Sequence, residues 1–230
     1  MLMSEPKRTT GGAVLLDGNA LRDKIIADVR AAVDGVSSPP CLATVLIGDD
    51  APSQVYVRNK HRQAQLAGMM SRNESLPRDV SQRDAESLVR ALAADPTVSG
   101  IIVQQPVPSH LDGEALLALI PFEKDVDGLT ITSMGRLLRG LDSLVPCTPL
   151  GVMRLLEHYG AELAGRRAVV VGRSSLVGMP LAVLLARKGA DATVTIAHSR
   201  TDDLASVCRE ADILVSATGQ ARSIGREHVK

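Results

Sequence analysis

Short aliphatic runs alternate with segments of helical periodicity along most of this chain of 230 residues. Apolar residues that recur every three to four positions predict amphipathic helices, and unbroken runs of Val, Ile, Leu and Ala predict buried strands. Asp17 or Asn19 is expected to cap the first helix, and Ser81 the third. Strands that alternate with helices indicate an α/β fold with parallel sheets. The first predicted helix ends at about residue 33, and the other predicted helices span about 54–67, 83–94, 114–120 and 179–188. The predicted strands span 42–47, 69–76, 100–103, 168–171, 192–197 and 212–217.

The stretch 121–149 is rich in glycine, proline and charged residues, and it predicts a link between two lobes. We expect an N-terminal lobe at 13–145 and a C-terminal lobe at 146–230, each with a parallel sheet. Residues 1–12 are polar and are interpreted as a flexible tail. No signal peptide and no membrane span are predicted, because no apolar run is long enough for either.

Composition narrows the classes of partner. Aromatic residues make up only 1% of the chain, so the core must be aliphatic, as in helices packed on parallel strands. Because 26 basic and 26 acidic residues cancel, we expect neither nucleic acid nor a membrane as a partner. Cys41, Cys147 and Cys208 lack CxxC spacing, and the five histidines lack ligand spacing. We therefore expect no disulfide framework, no metal and a reducing cytoplasm.

The most informative segment is a strand, a glycine-spaced turn, a helix and a second strand between 166 and 197. Gly172 and Gly178 enclose the turn, Arg173 and Ser174 lie within it, and Pro180 suits the first turn of a helix. A helix N-terminus in this position offers backbone amides to a phosphate, as in Rossmann-type dinucleotide-binding lobes. The glycines do not form GxGxxG, and a plain tight connection is the alternative for the turn alone.

The second strand of this unit ends in His198-Ser199-Arg200-Thr201. NAD enzymes usually carry an acidic residue here, which binds the ribose 2′-hydroxyl. A basic, hydroxyl-rich terminus favours a 2′-phosphate, so NADP is the predicted cofactor. For Arg200 and Thr201, a helix-capping loop before Asp202 is an equally good interpretation.

Polar residues of the first lobe suggest a second site. Tyr56 and Lys60 share a helix face, although such a pair is usually solvated. The catalytic Tyr–Lys pair of short-chain dehydrogenases follows its dinucleotide turn, whereas this pair precedes the turn, so chain order argues against that interpretation. Gln104 lies at the carboxyl end of a strand, where α/β sheets place ligands, and its structural alternative is a loop amide that bonds to the backbone. The remaining candidates have structural alternatives: Asp125 and Asp127 in an Asx-turn with Gly128, and Cys147 as a small buried hydrophobe rather than a nucleophile.

Six motifs occur in order along the chain: SQVYVRNKHRQAQLAGM, SGIIVQQPVPSHL, PFEKDVDGL, LVPCTPLGVMRLLEHYG, AVVVGRSSLVGMPLAVLLARKGADATVTIAHSRT and ADILVSATGQ. Taken together, they resemble the bifunctional methylenetetrahydrofolate dehydrogenase/cyclohydrolase family and cover nearly the whole chain beyond Gly12. The resemblance implies NADP-dependent oxidation of 5,10-methylenetetrahydrofolate to the methenyl cation, which water then opens to 10-formyltetrahydrofolate. It also implies a homodimer joined through the cofactor lobe.

The resemblance assigns roles to particular residues. Lys60 is expected to relay protons and activate the attacking water, with Gln104 bonded to it. Tyr56 is expected to stack on the folate and hold the lysine, and Asp127 to accept two hydrogen bonds from the pterin edge. The expected cofactor contacts are Arg173, Ser174 and Ser199 at the 2′-phosphate and adjacent groups, and Gly172 and Gly178 for close backbone approach.

Members of this family continue past the position of Lys230 through a further strand and a PGGVGPMT-like loop, so the cofactor lobe is expected to be incomplete. We consider two alternatives to a complete folate enzyme. One is a non-catalytic fragment that binds NADP or folate, and the other is a different two-lobed NADP enzyme acting on a carbonyl compound or an amino acid.

Overall fold

The computed structural model describes residues 7–230. The described chain forms two compact units, which divide between Ile131 and Thr132, whereas the sequence predicts a boundary after residue 145. Residues 1–6 of the predicted tail lie outside the described residues. In the remainder of that tail, Arg8 pairs with Val14 in an isolated antiparallel bridge.

The first unit contains a three-stranded parallel sheet, in which the first strand of the chain lies between the second and the third. Its core is aliphatic and is formed by the strands together with the buried faces of the third and fourth helices. In chain order its elements are α1 (Gly18–Asp34), β1 (Cys41–Ile47), α2 (Ala51–Leu66), β2 (Met70–Leu76), α3 (Gln82–Ala94), β3 (Gly100–Val103), α4 (Gly113–Leu117) and a 3-10 turn (Phe122–Lys124).

Side-chain caps fix where several of these helices begin. Asp17 accepts a hydrogen bond from the Asn19 amide at 3.0 Å, and Ser81 accepts one from the Asp84 amide at 3.1 Å, so both predicted caps are confirmed. Asp50 caps α2 by accepting from the Ser53 amide at 2.9 Å. These caps satisfy backbone donors that have no partner within the helix.

The second unit also contains a three-stranded parallel sheet, in which its first strand lies between its second and its third. One hydrophobic cluster covers one face of this central strand with residues of the second and third helices of the unit, and another cluster covers the opposite face with residues of the fourth helix. Its elements are α5 (Ile131–Leu138, beginning one residue before the division), α6 (Cys147–His158), β4 (Arg167–Val171), α7 (Gly178–Ala186), β5 (Thr193–Ala197), α8 (Leu204–Arg209), β6 (Ile213–Ser216) and a 3-10 turn (Arg226–His228).

Two details differ from the sequence-based expectation. The predicted link at 121–149 contains the helix α5, which buries Ser133 and Leu137 and therefore packs like any other element. Cys147 was expected to be a buried hydrophobe, but it is exposed at the first residue of α6, because the buried residue in that turn is Pro149. In the described part of the chain, no helix is long and apolar enough to cross a membrane.

Candidate active site

The helix α2 carries Tyr56 and Lys60, two of the four predicted catalytic residues of the first unit. Its buried face consists of Ser53, Val57 and Ala64, which pack toward the sheet. Lys60 lies beside this face with a side chain that is 31% exposed, and Tyr56, one turn earlier, is 63% exposed. Lys60 is thus close to the protein interior and still accessible to a ligand, while the phenol ring of Tyr56 is open to stacking.

The cap of this helix is electrostatically favourable. Hydrogen bonds from the Ser53 side chain and backbone hold the pKa of the Asp50 carboxyl below its ordinary value. The capping carboxylate therefore stays ionised at neutral pH, where it also complements the positive end of the helix dipole. The beginning of α2, and with it the position of Tyr56 and Lys60, is fixed by this cap.

The structure brings three of the predicted site residues together. Lys60 Nζ donates to Gln104 Oε1 at 3.2 Å, and it lies 3.9 Å from Asp127 Oδ2. Gln104 follows β3 directly, and its own amide nitrogen donates to the Gln105 carbonyl at 2.7 Å. That second bond orients the amide, so its oxygen faces the lysine. An amine held between an amide oxygen and a carboxylate is a suitable arrangement for moving a proton.

Asp125 and Asp127, two residues apart, have different functions in this loop. Asp125 is 1% exposed and accepts hydrogen bonds from the amides of Leu129 and Thr130 at 3.1 and 2.9 Å. It is therefore a structural residue, as its Asx-turn alternative implied. Asp127 is half-buried and faces Lys60 instead.

A polar network beside Lys60 was not found by sequence reasoning. The next residue, His61, bonds through Nε2 to Thr44 Oγ1 at 2.9 Å and through Nδ1 to the Ser71 hydroxyl. Thr44 is fully buried in β1, and its hydroxyl also bonds to Asn73 at 3.3 Å. The ring thus ties α2 to both β1 and β2. A threonine within an otherwise aliphatic strand was the available signal.

In the second unit, the predicted cofactor turn leaves no space for a side chain at Gly172 or Gly178. Gly172 has φ +125°, and a Cβ there would lie 2.4 Å from the Ala217 carbonyl oxygen. A Cβ on Gly178 would lie 2.1 Å from the carbonyl oxygen of Gly172. Ser174 closes the turn, because its hydroxyl accepts from the Val177 amide at 3.2 Å and its carbonyl accepts from the Met179 amide at 3.0 Å. Both glycines are thus required by the turn itself, and Arg173 and Ser174 are left exposed.

The end of β5 lies beside this turn. The Gly172 amide donates to the carbonyl of Ala197, the last residue of β5, at 2.8 Å. Ser199 lies two residues beyond this strand end. Thr201 Oγ1 accepts from the His198 amide at 2.9 Å and closes a local turn, which leaves Ser199 and Arg200 exposed. The cap of α8 is Asp203, so Thr201 serves this turn and not the helix. Among the described residues, no group of three His, Cys, Asp or Glu side chains could hold a metal ion.

Comparison with known proteins identifies the family. Residues 16–127 match the tetrahydrofolate dehydrogenase/cyclohydrolase catalytic domain, and residues 146–230 match the NAD(P)-binding domain of the same family. The chain belongs to the tetrahydrofolate dehydrogenase/cyclohydrolase family. It is 52% identical to the bifunctional protein FolD 2 of Frankia alni over 222 residues, which are 95% of this chain and 76% of the relative.

Solved structures of this family have the same fold. The bifunctional FolD enzyme of Campylobacter jejuni superposes with a TM-score of 0.90 at 37% identity, covering 94% of this chain and 78% of the other. The Trypanosoma brucei FolD, solved in complex with NADP cofactor and inhibitor, gives a TM-score of 0.86 at 39% identity and covers 90% and 72% of the two chains. The predicted family, the α/β fold, the paired dehydrogenase and cyclohydrolase activities and the NADP cofactor are confirmed.

Proposed function

We propose that the cluster of Lys60, Gln104 and Asp127 is the site at which this family member oxidises 5,10-methylenetetrahydrofolate and hydrolyses the methenyl product to 10-formyltetrahydrofolate. The observation that carries the proposal is the position of Lys60 Nζ, 3.2 Å from Gln104 Oε1 and 3.9 Å from Asp127 Oδ2. These three side chains reach one point from a helix, a strand end and a loop that are far apart in sequence.

Lys60 is the residue that moves protons. In the hydrolysis, a water molecule adds to the methenyl carbon, loses a proton, and the ring then opens as a nitrogen is protonated. A single amine close to this carbon can take the first proton and deliver the second. The bond from Lys60 to Gln104 limits the lysine to one position, which is what efficient proton transfer requires.

Tyr56 and Asp127 bind the substrate. The phenol ring of Tyr56 is mostly exposed one helical turn before Lys60, so it can stack on a flat heterocycle above the amine. The carboxylate of Asp127 matches the 2-amino-4-oxo edge of a pterin, which presents parallel N–H donors. Together they would place the one-carbon bridge beside Lys60.

The carboxyl ends of β4 and β5 suit the cofactor. Arg173, Ser174 and Ser199 are exposed at the ends of these neighbouring strands and supply a guanidinium group and two hydroxyls, which can bind a 2′-phosphate. Gly172 and Gly178 keep the backbone of the turn close to the sheet, where amides can approach the phosphates. A cofactor held by these residues would supply the acceptor for the hydride that leaves the methylene carbon.

We further propose a homodimer joined through this second unit. The strand β5 lies at an edge of its sheet and exposes Thr193, Thr195 and Ile196. A cytoplasmic location is proposed as well, because all three cysteines are present as thiols.

Substitution of Lys60 tests the central assignment. We expect Lys60→Met to slow methenyl hydrolysis by about 10²-fold or more, because general acid–base catalysis is typically worth that much. The rate is measured as the loss of methenyl absorbance, and NADP⁺ binding, measured by calorimetry, is expected to stay unchanged. Arg62→Met removes an exposed positive charge two residues away on the same helix and serves as the control.

A Lys60→Met enzyme that hydrolyses the methenyl compound at the wild-type rate would remove Lys60 from this role. If the unsubstituted chain binds NADP⁺ and a folate analogue without turning them over, the binding-only alternative is favoured. An Asp127→Ala enzyme with unchanged substrate affinity would favour a different substrate class.

A further inference from the structure

The side chain of Lys124 caps a helix that it does not belong to. Its amino group, at the end of the 3-10 turn Phe122–Lys124, donates to the carbonyls of Ala93 and Asp95 at 2.8 and 2.7 Å and lies 3.4 Å from that of Leu92. These carbonyls end α3, where the helix has no basic residue in its own last turn. Carbonyls at a helix C-terminus lack intrahelical partners and form the negative end of the helix dipole. The positively charged amino group of Lys124 is therefore favourable at this end of α3.

The segment that follows Lys124 is short and fixed. Asp125 pairs with Ile101 of β3 in a parallel bridge and binds the amides of Leu129 and Thr130. Asp127 therefore lies on a loop of two residues between Asp125 and Gly128, whose amide donates back to the Asp125 carbonyl at 3.1 Å. No long flexible stretch separates the lysine from the carboxylate that faces Lys60.

Gly100 gives independent support for a fixed loop. A Cβ on this glycine would lie 2.4 Å from Val126 Cγ1. The Val126 side chain thus rests directly on the first residue of β3, and only a glycine leaves room for it. The residues on both sides of Val126 are Asp125 and Asp127, so this contact also determines how far the loop stands from the sheet.

We propose that Lys124 is a positioning residue for the folate site: by anchoring the 122–130 segment to the end of α3, it sets the place of the Asp127 carboxylate beside Lys60. The inference rests on the proposed function, in which Asp127 binds the pterin. Lys124 itself does not touch the substrate, because its donors are occupied by the end of α3.

The proposal predicts a particular kinetic change. Asp127 is proposed to bind the pterin in both the ground state and the transition state, and the loss of such uniform binding raises KM without lowering kcat. A lysine that only stabilised the fold would reduce the active fraction, and hence the apparent kcat, while KM stayed constant. The split between KM and kcat therefore separates a positioning role from a structural one.

The experiment compares Lys124→Met with Lys124→Arg in the full chain. For Lys124→Met we expect the KM for 5,10-methylenetetrahydrofolate and the Kd for tetrahydrofolate, measured by calorimetry, to rise by about 10-fold, since small misplacements of binding groups have effects of this size or larger. The kcat and the KM for NADP⁺ should stay close to their wild-type values, because the loss of uniform substrate binding leaves kcat unchanged. Lys124→Arg keeps donors for the carbonyls and should recover part of the affinity, and Lys188→Met, an exposed lysine of the second unit, is the control.

A second pair of variants keeps the test decisive if Lys124→Met does not fold. Gly100→Ala should displace Val126 and raise the tetrahydrofolate Kd in the same way, and Gly100→Ala combined with Val126→Ala, which removes the colliding methyl groups, should lower it again. An unchanged folate Kd in a folded Lys124→Met enzyme overturns the inference while the proposed function stands, and so does an unchanged folate Kd in Gly100→Ala if Lys124→Met does not fold. If the unsubstituted chain neither binds tetrahydrofolate nor turns over its methylene form, the proposed function fails and the inference fails with it.

Discussion

At the scale of single residues, we propose Ser199 as the position that determines the preference for NADP⁺ over NAD⁺. It is exposed just beyond β5, beside the turn that begins at Gly172. NAD enzymes carry a carboxylate at this position for the ribose 2′-hydroxyl. We expect Ser199→Asp to lower kcat/KM for NADP⁺ by about 10²-fold, because placing like charges together costs several kcal/mol. The value for NAD⁺ should fall less or rise, so the ratio of the two is the quantity to measure.

Ser199→Ala is the matched control for this experiment. It removes the hydroxyl without adding charge, so the NADP⁺ value should fall by only about 3- to 10-fold, the size of one hydrogen bond. A Ser199→Asp enzyme that keeps its full preference for NADP⁺ would show that the 2′-phosphate binds elsewhere. In that case Arg173 and Ser174 become the residues to replace next.

The residues in and around the proposed folate site of the first unit differ in how well their roles can be predicted from the sequence. Lys60, Gln104 and Asp127 could be named from ordered motifs, since each motif keeps a recognisable residue type in a fixed place. The anchor formed by Lys124 could not, because it depends on where α3 ends, about 30 residues earlier in the chain. The bond from His61 to Thr44 could not be predicted either, because it depends on how α2 packs on β1.

At the scale of secondary structure, the turn from β4 to α7 depends on a contact between two backbones. A Cβ on Gly178 would lie 2.1 Å from a carbonyl oxygen, which cannot move as the end of a side chain could. We expect Gly178→Ala to lower the free energy of unfolding by about 1–3 kcal/mol, the usual cost of overpacking, and to weaken NADP⁺ binding. Chemical denaturation and calorimetry measure the two effects.

Gly151→Ala is the control for Gly178→Ala, because both glycines lie in helices and neither has a positive φ. A Cβ on Gly151 would meet no atom within 4 Å. The substitution is therefore expected to raise stability by about 0.5–1 kcal/mol through helix propensity. If Gly178→Ala behaves like this control, the glycine is not needed for the turn.

The pattern of apolar residues predicts a strand or helix best where glycine, proline or polar residues mark both of its ends. The strand β3 was predicted with its observed bounds, because Gly100 begins it and the Gln104-Gln105-Pro106 segment ends it. The sequence does not predict the helix α5, because Gly135 and the polar residues Thr132, Ser133 and Arg136 interrupt its apolar pattern, and the helix buries only Ser133 and Leu137. A short helix of this kind depends on its packing more than on its own periodicity.

At the scale of the whole molecule, each unit has a parallel sheet and a core of its own. The chain has only three aromatic residues, one Phe and two Tyr, so both cores are built from Val, Leu, Ile and Ala. The second sheet has an unprotected edge within the described residues, because β5 pairs only with β4. The strand contains β-branched residues and neither proline nor lysine, the residues that usually prevent pairing between edges.

We expect this edge to join two copies of the chain. The formal net charge is zero, so electrostatic repulsion does not oppose self-association. Sedimentation at micromolar concentration should give about twice the chain mass of 24.3 kDa. Ile196→Lys places a charge on the edge and should shift the protein to the monomer, while NADP⁺ binding shows that the unit is still folded. Ile25→Lys introduces the same charge at an exposed position of α1 and should leave the dimer intact. A wild-type mass of one chain, or a dimer that Ile196→Lys does not weaken, would contradict an interface at β5.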